Sequence, residues 1–503
     1  MKKLSVIILM ISSLGFYVGC SDFLEPENQE ELTTESFWLN EEHAKQGIIA
    51  TYAPLQAFDG SKWTFFEEMY ISLHWKSDDI LPANTGYGNG IKSFTNGTDD
   101  VTFTSFWRSH YTGIFHANQV LTFVPGIENI DESVRDGILG EAHFLRAYYH
   151  FALLNVFKNI PLITKLPEND DDFKPTQATP EAVWAQIQSD LEEAERLLPD
   201  ENDPGRVINT TATAYLGKIF LFQERFSDAI AKFEAVIASN KYDLVAAYED
   251  NFTGLNENNE ESIFEIQWSQ DRSNGNDERH PFDFEVTPEA LGGWELYYPS
   301  EWLVSEMMTD VTSDGDPSDR VFGSIFFDHP QSEMKRTRNG GMASYDEVRD
   351  NLLNPTYFKK YANDTDDGFY TGNNISLMRY ADLLLMHAEA LNENGRNSEA
   401  LDFVNQVRAR SNAEALGAMS QADLRQQIRH HERPVELSME YTIRWFDLYR
   451  WSKSSTAPEP ISTVLTNHQQ PFAENFVDGK HEIFPIPFFD ISRNENLEQN
   501  PGY

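Results

Sequence analysis

The sequence predicts a mainly α-helical protein, in which paired helices form a scaffold and long aromatic-rich loops form a second face with minor β structure. Two observations carry this. Apolar residues recur at i, i+3 and i+4 through segments of helical length, as in Ile138, Leu139, Ala142, Leu145, Tyr149 and Leu153. Between the helical segments lie two long stretches without strong periodicity, near residues 59–100 and 255–375. Stretches of that length inside a compact chain usually carry function.

Helical patterning starts near residue 36 and runs to about residue 56. The next block, about 103–160, places Phe106, Trp107, Ile114, Phe115 and Val120 on one stripe, and its second helix stops before Pro161, which cannot continue it. Thr179-Pro180-Glu181 reads as an N-cap, a proline at the first helical position and a first-turn acid. That helix opens a block over 180–240, ending in a tight hairpin. There Ala212, Tyr215, Leu216, Ile219 and Phe220 face Ala229, Ile230, Phe233, Val236 and Ile237. Alternation from Ile263 to Trp268 predicts a short strand. A second hairpin of the same design, turning at Gly395, opens the last helical block, about 378–450. The phrases LGKIFLFQERFSDAIAKFEAVI and LLLMHAEALNENGRNSEALDFVNQV share small residues at closest approach and a short polar turn. Both resemble tetratricopeptide (TPR) helix pairs, and the helix spacing gives about four pairs. Stacked pairs of this kind bury a continuous apolar surface and present a broad docking face.

The amino terminus reads as a leader. Met1-Lys2-Lys3 is basic, residues 4–18 are apolar, and Val18-Gly19 precedes Cys20, the only cysteine of the chain. The apolar run suits a signal peptide and falls short of the ~20 residues of a spanning helix. The reading is a lipoprotein signal over 1–19, a lipidated tether over 20–35 starting at Cys20, and one domain over 36–503. With one cysteine no disulfide forms within the chain, so stability rests on the core. The formal charge is −42, from 39 basic against 81 acidic residues. Such a surface excludes nucleic acid, and it disfavours anionic lipid and polyanionic glycans.

Five segments in order resemble the SusD/RagB family of outer-membrane lipoproteins of Bacteroidota. They are GEAHFLRAYYHFALLNVFKNIPLI (140–163), the two hairpins above with MRYADLLLMHAEALNE leading the second, HERPVELSMEYTIRWFDLYRW (431–451) and IFPIPFFDISRNENLEQNPGY (483–503). The resemblance implies a SusD-like fold in which the TPR pairs pack against a SusC-like TonB-dependent transporter. The protein would act as a hinged lid there, anchored in the outer membrane by lipid and facing the cell exterior. It also implies that the loop face binds an oligosaccharide or polysaccharide without catalysis. A peptide is the alternative cargo, as in the RagB branch.

The residues themselves give no catalytic signature: H-E-x-x-H, the phosphate-binding G-x-x-x-x-G-K-[S/T] and G-x-S-x-G are all absent. No cofactor is called for. Asp314-Gly315-Asp316 and the acids at 364–367 offer oxygens to a structural calcium ion, although neither follows the spacing of a dedicated calcium loop. Sugar rings have apolar faces and hydroxyl edges, so exposed aromatics beside Asn and Asp are the signal to seek. Two clusters qualify. One holds Trp75, Asp78, Asn84, Tyr87 and Asn89 with Trp63 upstream. The other holds Trp294 and Tyr297, where Gly292-Gly293 would leave the indole exposed in a turn. Trp302, followed at helical spacing by Met307, reads as core, as do Trp107, Trp184, Trp445 and Trp451 on apolar helix faces. Arg444 and Asp447 read as structural partners of neighbouring helices. The acidic surface favours a neutral glycan such as a β-glucan.

Overall fold

The computed structural model describes residues 37–56, 71–82, 89–271, 273, 278–337, 341–362 and 370–503. The signal, Cys20, the tether and the acids at 364–367 lie outside the described residues. The scaffold begins with α1 (Glu41–Tyr52), α2 (Val101–Phe123), α3 (Glu132–Phe157) and α4 (Pro180–Leu197). It continues through α5 (Asn209–Phe222) and α6 (Phe226–Ala238), and after the short α7 (Glu301–Met307) resumes with α8 (Tyr380–Glu393) and α9 (Asn397–Arg410). Helices α10 (Ile443–Ser452) and α11 (Ile461–Asn467) close the chain's last helical block.

Local chemistry sets the starts. The side chains of Asn40, Asp100 and Thr179 accept backbone N–H groups of His43, Thr102 and Ala182, which would otherwise be orphaned at the helix ends. Successive helices pack as neighbours, with α3 against both α2 and α4, α5 against α6, and α8 against α9. Gly217 shows why a small residue sits at the α5–α6 approach, since a Cβ there would lie 2.5 Å from the ring of Phe233. The core runs without a break from α1 to the carboxyl-terminal tail. It includes Trp107, Trp445 and Trp451, with Trp184 packed against its edge. Among the described residues no helix is long and apolar enough to cross a membrane.

The two loop-rich stretches contain short strands that pair as two-stranded ribbons. Strands β1 (Ile80–Pro82), β2 (Ser262–Ile266) and β3 (Tyr297–Pro299) come first in the chain. They are followed by β4 (Ile325–Phe327), β5 (Glu333–Lys335), β6 (Met342–Ser344), β7 (Thr356–Phe358) and β8 (Ile375–Arg379). The strand expected from Ile263 to Trp268 forms over Ser262–Ile266 as β2, which pairs antiparallel with β8 and so brings the ends of the long insertion together. Arg379, the last residue of β8, is buried among Glu261, Glu436 and Glu440, fixing the insertion to the helices by charge as well as by apolar packing.

Candidate functional site

The two aromatic clusters, more than 200 residues apart in sequence, meet in space. β1 pairs antiparallel with β3 in the register Ile80↔Pro299, Leu81↔Tyr298 and Pro82↔Tyr297. The Ser300 N–H then donates to the Asp79 carbonyl at 2.9 Å, and the Ser300 hydroxyl caps α7 by accepting from the Leu303 N–H. This puts Trp302 on the first turn of α7, beside the end of β1.

Beneath it lies a charged support. Arg444 of α10 donates through Nε and Nη2 to the two carboxylate oxygens of Asp78, both at 2.6 Å. His468, just past α11, places Nδ1 2.6 Å from Asp78 Oδ2. Burial pushes the Asp78 carboxyl up, but the guanidinium and the imidazole overcome it and hold the group well below the usual carboxylate range. Asp79, equally buried, lacks such a partner; burial and the neighbouring Asp78 raise it to about 6. The His468 ring stacks flat on Trp302, with centroids 3.7 Å apart and planes 8° apart, and the Arg444 guanidinium lies 5.0 Å from the same indole. Trp302 and His468, with Leu81, Glu301, Ser305, Asn467 and Gln469 among their neighbours, line a cleft of about 370 Å³. It thus joins a half-exposed indole to amides, a hydroxyl and a carboxylate, the combination that grips a sugar by its face and its hydroxyls.

Trp294 sits on the other side of β3. Gly292 is left-handed at φ 97°, and a Cβ on Gly293 would lie 2.1 Å from the Thr287 carbonyl oxygen, so the tight corner requires both glycines. The corner leaves the indole 37% exposed, with its edge against Phe284 at 5.2 Å. The exposure inferred from Gly292-Gly293 is therefore present.

Three of the expected site residues lie inside the joint rather than on its surface. Trp75 is 1% exposed and packs 6.1 Å from the ring of Tyr297. Tyr297 is itself fully buried, its hydroxyl donating to Glu285. Asp78 is consumed by Arg444 and His468. These three hold the platform together and offer no surface to a ring. Asn89 opens a short helix (Asn89–Lys92); Trp63, Asn84 and Tyr87 lie outside the described residues. Trp302, expected in the core, is instead half-buried on the cleft, and Asn467, His468 and Gln469 were not anticipated. Arg444 and Asp447 are structural as read: Arg444 holds Asp78, and Asp447 pairs with Arg433 and Arg450. Asp314 and Asp316 lie in an exposed turn, and among the described residues no group of three or more His, Cys, Asp or Glu side chains gathers to hold a metal.

Fold and cleft together give a helical scaffold carrying a small cleft lined by an indole and an imidazole. Residues 260–503 match the family described as "SusD family", and residues 22–221 match "Starch-binding associating with outer membrane". The chain is 26% identical to SusD-like protein P38 of Formosa agariphila, across 100% of this chain and 99% of that one. A solved structure described as a laminarin-binding SusD-like protein is 28% identical with a TM-score of 0.73, covering 92% of this chain and 100% of that one. A SusD superfamily protein from Bacteroides vulgatus, 24% identical, superposes with a TM-score of 0.81, covering 93% and 100%. The two matches together span most of the chain, which belongs to the SusD family.

Proposed function

We propose that this protein captures a neutral glycan at the cell surface, carrying out no reaction on it. It hands the glycan to a SusC-like TonB-dependent transporter while tethered to the outer membrane through lipidated Cys20. The observation that carries the reading is the Trp302 indole, stacked flat on His468 in a cleft whose polar lining includes the amides of Asn467 and Gln469 and the Glu301 carboxylate. A pyranose ring would lie against the indole, as apolar C–H groups do on an aromatic face. Asn467 and Gln469 would bond its hydroxyls, each amide both donating and accepting. Trp294, three residues before β3 as Trp302 is three residues after it, would serve as a second contact for a longer chain. The net charge of −42 favours an uncharged polymer. The relative described as laminarin-binding supports a β-glucan as the first ligand to try.

Affinity electrophoresis of residues 21–503 in gels containing laminarin, other neutral polysaccharides and anionic ones tests this. Retardation by a neutral glycan is expected, and Trp302→Ala should weaken it by about tenfold or more, the loss of roughly 1.5–3 kcal/mol of stacking. Retardation by no glycan, with binding of peptides in a parallel series, would replace the reading with peptide capture.

A further inference from the structure

We propose that His468 is a hydroxyl-reading residue of the Trp302 cleft, its Nε2 offered to the ligand as a hydrogen-bond acceptor because Asp78 fixes the proton on Nδ1. This rests on the glycan reading of the same cleft.

An ionised carboxylate only accepts, so the imidazole nitrogen 2.6 Å from Asp78 must be the protonated one. In a neutral ring the lone pair then belongs to Nε2. The ring cannot turn away easily: Trp302 covers one face at 3.7 Å, and His430 abuts it edge-on at 5.3 Å. Nε2 makes no hydrogen bond among the described residues, while His468 lines the cleft. The competing polar groups are largely engaged. Ser305 donates to the Glu301 carbonyl. Gln470 accepts from Lys92 and donates to the Asp78 carbonyl. The cleft thus presents an acceptor of fixed orientation beside the two amides and the Glu301 carboxylate, and a sugar hydroxyl is a donor that such an acceptor reads.

Protonation would convert that acceptor into a donor, so a hydroxyl that donates there must turn or lose its bond, and acid should weaken binding. The charged and titratable groups facing the ring are Asp78 beneath it, Arg444 behind Asp78, and His430, which is itself held by Glu459 at 2.8 Å. Asp79 and Lys92 stand one step further off, and Glu301 lies on the cleft wall. Burial disfavours the imidazolium, and Arg444 and His430 add to that, whereas Asp78 favours it. The balance lowers the group below its ordinary value, so the ring is neutral at pH 7.

The test measures binding of laminarin, or of whichever neutral polysaccharide retards the protein most, at pH 7.5 and pH 5. Wild type, His468→Phe and Trp302→Ala are compared. His468→Phe keeps an aromatic surface under Trp302 and removes both nitrogens. Wild type should weaken on acidification, approaching about fivefold, the size of one neutral hydrogen bond, only as far as the ring takes up its proton. His468→Phe should already be about fivefold weaker at pH 7.5 and change little with pH. ¹⁵N NMR of the histidines should show His468 protonated at Nδ1 in the neutral ring. An Nε2–H tautomer, or a His468→Phe protein with wild-type affinity and wild-type pH response, overturns the proposal and leaves the glycan reading intact. Unchanged binding in Trp302→Ala, or no glycan bound at all, instead removes the cleft as the glycan site, and the proposal with it.

Discussion

Asp310 and Asp78 each accept a two-pronged arginine and a histidine, yet the first lies inside a closed charge cluster and the second underlies an open cleft. Arg320 donates to both oxygens of Asp310 at 2.8 Å, and the same guanidinium reaches Glu432 at 2.8 Å. Arg408 adds bonds to Asp310 and Glu432, and His431 places Nε2 3.2 Å from Asp310. Around Asp78 the set is smaller: one arginine, one histidine, then the indole and solvent. The histidines report the difference. Burial opposes charge on both. His431 also faces Glu306 at 3.1 Å, and its two carboxylates outweigh burial and raise it. His468 has one carboxylate already shared with Arg444, and is lowered. Helix α7 joins the two regions, with Glu306 on the closed cluster and Trp302 on the cleft. A buried aspartate with its arginine is therefore a general fastening in this fold, and what covers it decides whether the histidine becomes a strut or a surface.

The largest effect should come from acid, which attacks the closed side. Glu436, set between Arg410 and Arg379, and Glu389, held by Arg450, are both pulled down to about 2 although burial pushes the other way. Their folded pKa lies below the unfolded value of ~4.3. The stability they contribute is thus fully present above about pH 4.5 and is lost as pH falls toward 2. With Asp190, also near 2 between His143 and Arg146, the loss should suffice to unfold a protein of ordinary stability, ~5–15 kcal/mol. Circular dichroism from pH 7 to 2 should show a flat plateau and then one steep transition below pH 4.5; a gradual decline starting near pH 6 would contradict it.

Next come the arginines. Arg320→Ala leaves Asp310 and Glu432 buried without their main partner and should cost about 3–5 kcal/mol in urea unfolding. Arg444→Ala should cost less, because Arg444 serves the single carboxylate of Asp78, whereas Arg320 serves Asp310, Glu432 and Glu436. Equal losses would mean that closure of the cluster has no energetic consequence.

The helical half of this architecture was legible because its signals are local. The first hairpin was expected at the end of the 180–240 block, with Ala212 to Phe220 facing Ala229 to Ile237, and forms over Asn209–Phe222 and Phe226–Ala238, framed by the small Gly217 and a short turn. The Gly292-Gly293 corner was legible for the same reason. The interior role of Trp75 and Asp78 was not, because the arginine that fastens Asp78 lies 366 positions away and nothing near Asp78 announces it. Trp302 failed differently. Its helical spacing was right but its phase was wrong: Leu303 and Met307, four apart and fully buried, take the inward face of α7, which leaves Trp302 at the edge. His468 carries no local signal at all, being a polar residue at the end of a short helix.

The smallest effect is the most specific to the comparison, because the two histidines should bend stability in opposite directions with pH. His431 has its folded pKa raised. Its contribution is fully present below the unfolded value of ~6.5 and is lost as pH rises through the folded pKa. His468 has its folded pKa lowered, so its folded site prefers the neutral ring. Its contribution is present above ~6.5 and is lost as pH falls toward the folded pKa. Replacing His431 by Phe should therefore flatten the stability profile on the alkaline side of pH 6.5, and His468→Phe should flatten it on the acid side. Urea midpoints at half-unit steps from pH 5 to 8 would resolve the two. Were both variants to flatten the same side, the second carboxylate, Glu306, would not be what separates these sites, and the cover over each aspartate would have to be sought elsewhere than in the partners of its histidine.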